Sequence, residues 1–340
     1  MQTNRLKWLL VLLLANAAFQ LPAQQIEADR KLLANVRAFA EKGDAQCQYE
    51  LGCAFFLGDF GVAKDDVEAV KWFRKAAEQN LAPAQFDLGV CYRDGQGVAK
   101  DAVEAVKWLR KAAEQGDAHA QYNLGHCYHD GHGVAKDYVE AVKWYRKAAE
   151  QNYPQAQSNL GQCYAEGQGV AKDEAEAVKW WRKAADQNHA PAQVNLGLCY
   201  EHGQGLAQNE EEAVRWYRKA AEQNDAGGQF NLGGCYYYGQ GLAKDKVEAV
   251  KWYRRAAEQN LAQAQYSLGL CYCDGQGVAK DYEEGVKWWR KAAEQNLPEA
   301  QFSLGLCYAK GEGVAKDEVE VVSNSHFGSG RQFKGTGGRS

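Results

Sequence analysis

Four of the seven histidines fall in one short stretch, His119, His126, His129 and His132, with Cys127 and Asp130 between them. His126 and His129 share a helix face at i, i+3, and His132 lies in the turn that follows. Imidazole nitrogens at such spacing suit a zinc ion. The corresponding places 36 residues on hold Gln162, Ala165 and Gln168. A structural zinc usually takes four convergent ligands. The set therefore reads as variable surface positions, and no metal site is assigned.

Cysteine offers a second chemistry. Ten cysteines would suggest disulfides if the chain met an oxidising compartment. Seven of them, Cys91, Cys127, Cys163, Cys199, Cys235, Cys271 and Cys307, recur every 36 residues. Equivalent positions on neighbouring packed helices lie roughly 8–10 Å apart. A disulfide needs Cα atoms within about 7 Å. The periodic cysteines are thus expected to be buried, unpaired and inert. Cys47, Cys53 and Cys273 are out of register and are the candidates for reactivity or pairing.

Other patterns resolve into structure. Gly-x-Gly recurs from Gly95/Gly97 to Gly311/Gly313, but a nucleotide loop requires a preceding strand, and here a helix precedes. Lys107, Arg110 and Lys111 sit within one helical turn of Glu104 and Glu114. With a net charge of −4 and dispersed cations, this reads as a solvated, internally paired face rather than a nucleic-acid stripe. No recurring Ser/His/Asp set, no Cys/His pair with an orienting acid and no HExxH motif occurs. No catalytic or cofactor-binding residue is assigned, and the chain reads as a non-enzyme.

The elements behind these residues follow from the period. Trp72, Trp108, Trp144, Trp180, Trp216, Trp252 and Trp288 also stand 36 residues apart. A fixed period of this size marks a stacked-repeat architecture with one continuous core. In residues 82–116, Pro83 suits a first helical turn. Ala84, Leu88, Cys91 and Tyr92 then share one face, and Gly95 and Gly97 break the helix. Asp101 with Glu104 forms a capping-box pattern for a second helix. Ala105, Trp108, Leu109, Ala112 and Ala113 make its buried stripe. Gly116, or Asn80, Asn152, Asn188, Asn224, Asn260 and Asn296 at the same place, suits the left-handed turn that ends it. The predicted fold is all-α, an α/α solenoid of 36-residue helix-turn-helix repeats.

This spelling resembles the Sel1-like repeat family, on Ala120-Gln121-Tyr122-Asn123-Leu124-Gly125, Gly131-His132-Gly133-Val134 and the run from Glu140 to Glu150. The resemblance implies a right-handed superhelix related to tetratricopeptide repeats, with the first helices on its concave side. A cysteine-rich branch of the family bridges the two helices of each repeat, and some of its members are described as β-lactamase-like. This chain has no second-helix cysteine to complete that bridge. A cell-envelope ligand-binding protein or enzyme of that branch is the alternative reading.

Arg5 and Lys7 precede an apolar run from Trp8 to Phe19 and a small-residue stretch, the order of a secretory signal peptide. The run is shorter than the ~20 residues that span a bilayer. Residues 1–23 are read as that signal, 24–44 as a capping helix, 45–322 as seven full repeats and a truncated eighth, and 323–340 as a disordered basic tail. The chain is expected in the periplasm or outside the cell. The truncated repeat leaves an uncapped end open to self-association.

Function in a repeat protein should lie where the copies differ. On the first helices those places include Tyr122, Asn123, His129, Asn159, Asn195, Glu201, His202, Asn231, Tyr237 and Tyr238. Aromatic and amide side chains suit the grasp of a peptide. The expected partner is a protein or peptide bound in the concave groove. Tyr237 and Tyr238 are expected to be exposed.

Overall fold

The computed structural model describes residues 23–316, which form helices and the turns between them, with no strand among the described residues. The chain divides into two compact units, residues 1–144 and 145–340. In the first, α1 (Ala23–Glu41) is followed by α2 (Ala45–Leu57), α3 (Asp66–Glu78), α4 (Ala82–Asp94), α5 (Ala102–Glu114), α6 (Ala118–Asp130) and the start of α7 (Tyr138–Glu150). In the second, the end of α7 leads to α8 (Pro154–Glu166), α9 (Glu174–Asp186), α10 (Ala190–His202), α11 (Glu210–Glu222) and α12 (Ala226–Tyr238). There follow α13 (Lys246–Glu258), α14 (Ala262–Asp274), α15 (Tyr282–Glu294) and α16 (Pro298–Lys310). From α1 to α6 in the first unit and from α8 to α16 in the second, each helix packs on its neighbours in sequence. Even-numbered helices are the first, and odd-numbered ones from α3 the second, of each repeat.

The expected stripes are the core. Ala84, Leu88, Cys91 and Tyr92 of α4 are buried, as are Ala105, Trp108, Leu109, Ala112 and Ala113 of α5. The helices end as their residues require. Asn80, Asn188, Asn224, Asn260 and Asn296 all adopt φ between 62° and 67°, and Gly116 takes φ 91°. Asn tolerates this left-handed region better than most residues with a Cβ.

The capping box forms only by half. Asp101 Oδ1 accepts from the backbone N–H groups of Val103 and Glu104, at 3.0 and 2.9 Å. The N–H of Asp101, which Glu104 would serve in a full box, donates instead to Tyr92 O at 2.9 Å. Glu104 is released to pair with Lys107 at 2.8 Å. The connecting turn thereby ties the second helix back to the first.

Gly97 shows why the turn carries a second glycine. Its φ is +67°, and a Cβ there would lie 2.0 Å from Asp66 O in the preceding repeat. The turn therefore packs against the N-terminus of α3. A ladder of buried glutamines fastens consecutive repeats. Gln85 donates to Ala77 O at 3.0 Å and to Asn80 Oδ1 at 3.1 Å, and accepts from Gln115 at 2.7 Å. Gln48 does the same to Ala40 O of α1, at 3.0 Å. Helix α1 thus fills the place of a second helix ahead of the first repeat. Ala40 joins Leu51 and Trp72 in one buried cluster.

The signal-like run and the basic tail lie outside the described residues. No described helix is long and apolar enough to cross a membrane.

Candidate functional site

The second-helix face is built of internal contacts. Arg110 donates to Tyr128 Oη of the following first helix at 2.6 Å, Arg146 to Tyr164 and Arg182 to Tyr200 at 2.7 Å. Lys111, Lys183 and Lys219 lie 4.0, 3.9 and 3.8 Å from the ring centres of Trp108, Trp180 and Trp216. These i, i+3 stacks cover the tryptophan faces and hold the ammonium groups by the ring quadrupole. Glutamates one turn earlier pair with the remaining lysines, as in Lys179–Glu176 at 2.8 Å.

The first-helix face is where the copies vary, and it falls into two stretches. In the first unit Tyr122 is half-buried and edge-on to His126, with ring centres 6.5 Å apart. Asn123 accepts from Arg93 Nη1 at 2.6 Å and donates to His119 O at 2.8 Å, so this amide is tied into the fold. His129 Nδ1 lies 2.6 Å from Asp130 Oδ1, and its ring stands edge-on to Tyr138 at 5.1 Å. It therefore turns away from the His126 face it was expected to share. Asp130 takes its place: one ligand atom each from His126, Asp130 and His132 falls within 4.8 Å of the others.

In the second unit Asn159, Asn195 and Asn231 occupy one register on α8, α10 and α12. All three are half-buried. Their side-chain amides have no hydrogen-bond partner among the described residues. His202 and Tyr238 lie exposed at the ends of α10 and α12, Tyr238 to 66%.

Tyr237, expected to be exposed, is only partly so, and Glu201 is hydrogen-bonded within its own repeat. Glu201 accepts from Tyr217 Oη at 2.5 Å. Tyr237 is half-buried, 6.3 Å from the ring of Tyr253 and 5.1 Å from Lys246 Nζ, and its burial raises its phenol pKa. Cys273, at the same register, is buried. A Cβ on Gly285 would come within 2.4 Å of its sulfur, so the glycine makes room for the thiol. Side chains at this register point between the two helices of their own repeat. One residue on, a rotation of about 100° turns them outward. Tyr238 is the exposed member of the pair, and Tyr237 is its support.

All ten cysteines are unpaired. Burial is the leading cause that pushes the thiols up, to about 12 for Cys91 and Cys235 and about 11 for Cys163 and Cys199. The out-of-register thiols do not differ. Cys47 is raised to about 11 and Cys53 and Cys273 to about 12, again chiefly by burial, so none is a ready thiolate.

One pair escaped the sequence reading. Tyr49 of α2 donates to Asp87 Oδ2 of α4 at 2.9 Å. Burial pushes the Asp87 carboxyl up to about 6, against the lowering effect of the Tyr49 hydrogen bond. Its signal in the sequence is an Asp where the next four repeats place Asn.

The family described as Sel1 repeat matches eight consecutive segments, residues 45–81, 82–117, 118–153, 154–189, 190–225, 226–261, 262–297 and 298–320. The chain is similar to the crystal structure of c5321, a protective antigen of uropathogenic Escherichia coli strains displaying an SLR fold. The two are 39% identical, with a TM-score of 0.74, over 87% of this chain and 63% of that one. It therefore spans just under two thirds of that antigen's length. It is also similar to a Sel1 repeat protein from Oxalobacter formigenes, 33% identical with a TM-score of 0.66, over 87% and 86% of the two chains. No match was found among curated proteins.

Proposed function

This chain belongs to the Sel1 repeat family, and from that premise we propose that it is an exported, non-enzymatic scaffold that binds a protein or peptide along its first-helix face. The observation that carries this reading is the row of Asn159, Asn195 and Asn231. Three amides at one register, half-buried and without partners in the fold, are suited to a segment that offers backbone N–H and C=O groups at intervals. Tyr238 and His202 flank the row and supply apolar and polar contact beside it. Side chains at the same places on the second-helix face are already paired or stacked, so that face offers a partner less.

The test is affinity capture from an envelope and secreted-protein extract, with the mature chain and with its Asn159→Ala, Asn195→Ala, Asn231→Ala, Tyr238→Ala variant. Proteins enriched by the first and lost from the second would support the reading. Identical captures would place binding elsewhere. Export is checked by the N-terminal sequence of the mature chain, expected to begin near Gln24; retention of Arg5 and Lys7 in an intracellular product would count against it.

A further inference from the structure

We propose that the C-terminal end of α6 with its capping turn is a binding site for a zinc-class divalent ion, held by His126, Asp130 and His132. The backbone makes the site. Gly131 adopts φ +79°, and the N–H groups of Gly131 and His132 both donate to Cys127 O at 2.9 Å. This closing of the helix folds the chain back, so the residue after the glycine lies over the last helical turn. His132 is thereby stacked over His126, with ring planes 13° apart and centres at 6.5 Å. Asp130, one turn beyond His126 on α6, brings its Oδ2 to 2.9 Å from His126 Nδ1.

A tetrahedral ion with Zn–N of about 2.0–2.1 Å and Zn–O of about 2.0–2.2 Å needs ligand atoms roughly 3.4 Å apart. The three atoms already lie within 4.8 Å of each other on exposed side chains. Closing that gap calls for rotation of these exposed side chains. Two imidazole nitrogens and one carboxylate favour zinc, nickel or copper over calcium or magnesium, which prefer oxygen. The fourth position is left to water.

The surroundings are those of a ligand set. His129 Nδ1 lies 2.6 Å from Asp130 Oδ1 and so fixes the carboxylate from its outer side. The comparison between repeats now argues for the site. The same turn recurs in the second repeat with Val90, Asp94 and Gln96, and in the fourth with Gln162, Glu166 and Gln168. Its backbone is common property, as Gln96 N–H to Cys91 O at 3.0 Å shows, while the three ligand types coincide in the third repeat. Variable positions are where a solenoid adds function, so their variability is no argument against a ligand.

Isothermal titration of the metal-stripped chain with zinc chloride tests this, with cobalt absorption as a second readout of coordination. The expected result is one equivalent bound with a dissociation constant on the order of 10 µM or tighter. His132→Gln restores the residue of the second and fourth repeats and should preserve the fold, as judged by an unchanged metal-free melting temperature. It is expected to weaken binding tenfold or more and to abolish the cobalt spectrum. His129→Gln, which touches the ion only through Asp130, is expected to weaken it less. No binding by the parent chain, or equal binding by the parent and His132→Gln, would overturn the assignment.

Discussion

Asp87 stands where Asn123, Asn159, Asn195 and Asn231 stand in the following repeats. Its carboxyl is raised to about 6 by burial, so the folded chain holds a proton there that the unfolded chain, near 3.8, does not. The ionised group therefore weakens the fold fully above pH 6, and the penalty fades as pH falls through 6 toward 4. Asp87→Asn keeps an acceptor for Tyr49 Oη and removes the charge. It is expected to stabilise the chain by about 1–2 kcal/mol at pH 7.5, with the gain lost at pH 4. Melting temperatures of parent and variant across that range check it; a gain independent of pH would mean the carboxylate is not the cause. The thiols make a second residue-scale prediction. Their raised pKa values imply slow reaction with a disulfide reagent at pH 8 in the native state, and titration of ten thiols after unfolding. Fewer than ten after unfolding, with more released by reductant, would reveal a bridge.

At the scale of helices, much was legible because packing and capping recur in each copy. Trp108 and Cys91 declare the core by their period, and Asp101 and Asn80 declare helix ends by their chemistry. The part hidden from the sequence is the direction in which a polar or aromatic side chain points. Tyr237 and Tyr238 look equivalent as letters, but one faces its own second helix and the other solvent. Gln85 is polar, yet it is 1% exposed and bonded on both sides. Its replacement by Ala removes three hydrogen bonds at the junction of two repeats, leaving Ala77 O the Asn80 N–H at 3.0 Å and the Gln115 amide its longer contact with Asn80 Oδ1 at 3.2 Å. The expected cost is about 2–3 kcal/mol by denaturant unfolding, well above that of an exposed glutamine. Gly97→Ala should cost at least as much, since its new Cβ would meet Asp66 O in a left-handed backbone. Either change measured at under about 0.5 kcal/mol would mean the junction relaxes around it.

For the molecule as a whole, stacking sets what an end must do. A repeat covers the first-helix residues of the one before it: Tyr266 and Leu270 of α14 pack with the cluster that holds Leu304 and Cys307. On α16 the equivalent Phe302 and Leu306 are 59% and 43% exposed among the described residues. Two large apolar side chains four residues apart form the stripe that a further helix would cover. A second copy of the chain is one candidate cover, and self-association through this stripe is the prediction. Sedimentation velocity on the full chain should then show an average mass that climbs with concentration. Phe302→Ser with Leu306→Ser should return it to the monomer while leaving the melting temperature of the array nearly unchanged, because neither side chain is buried in the repeat's own core. A monomer at every concentration would sink the self-association.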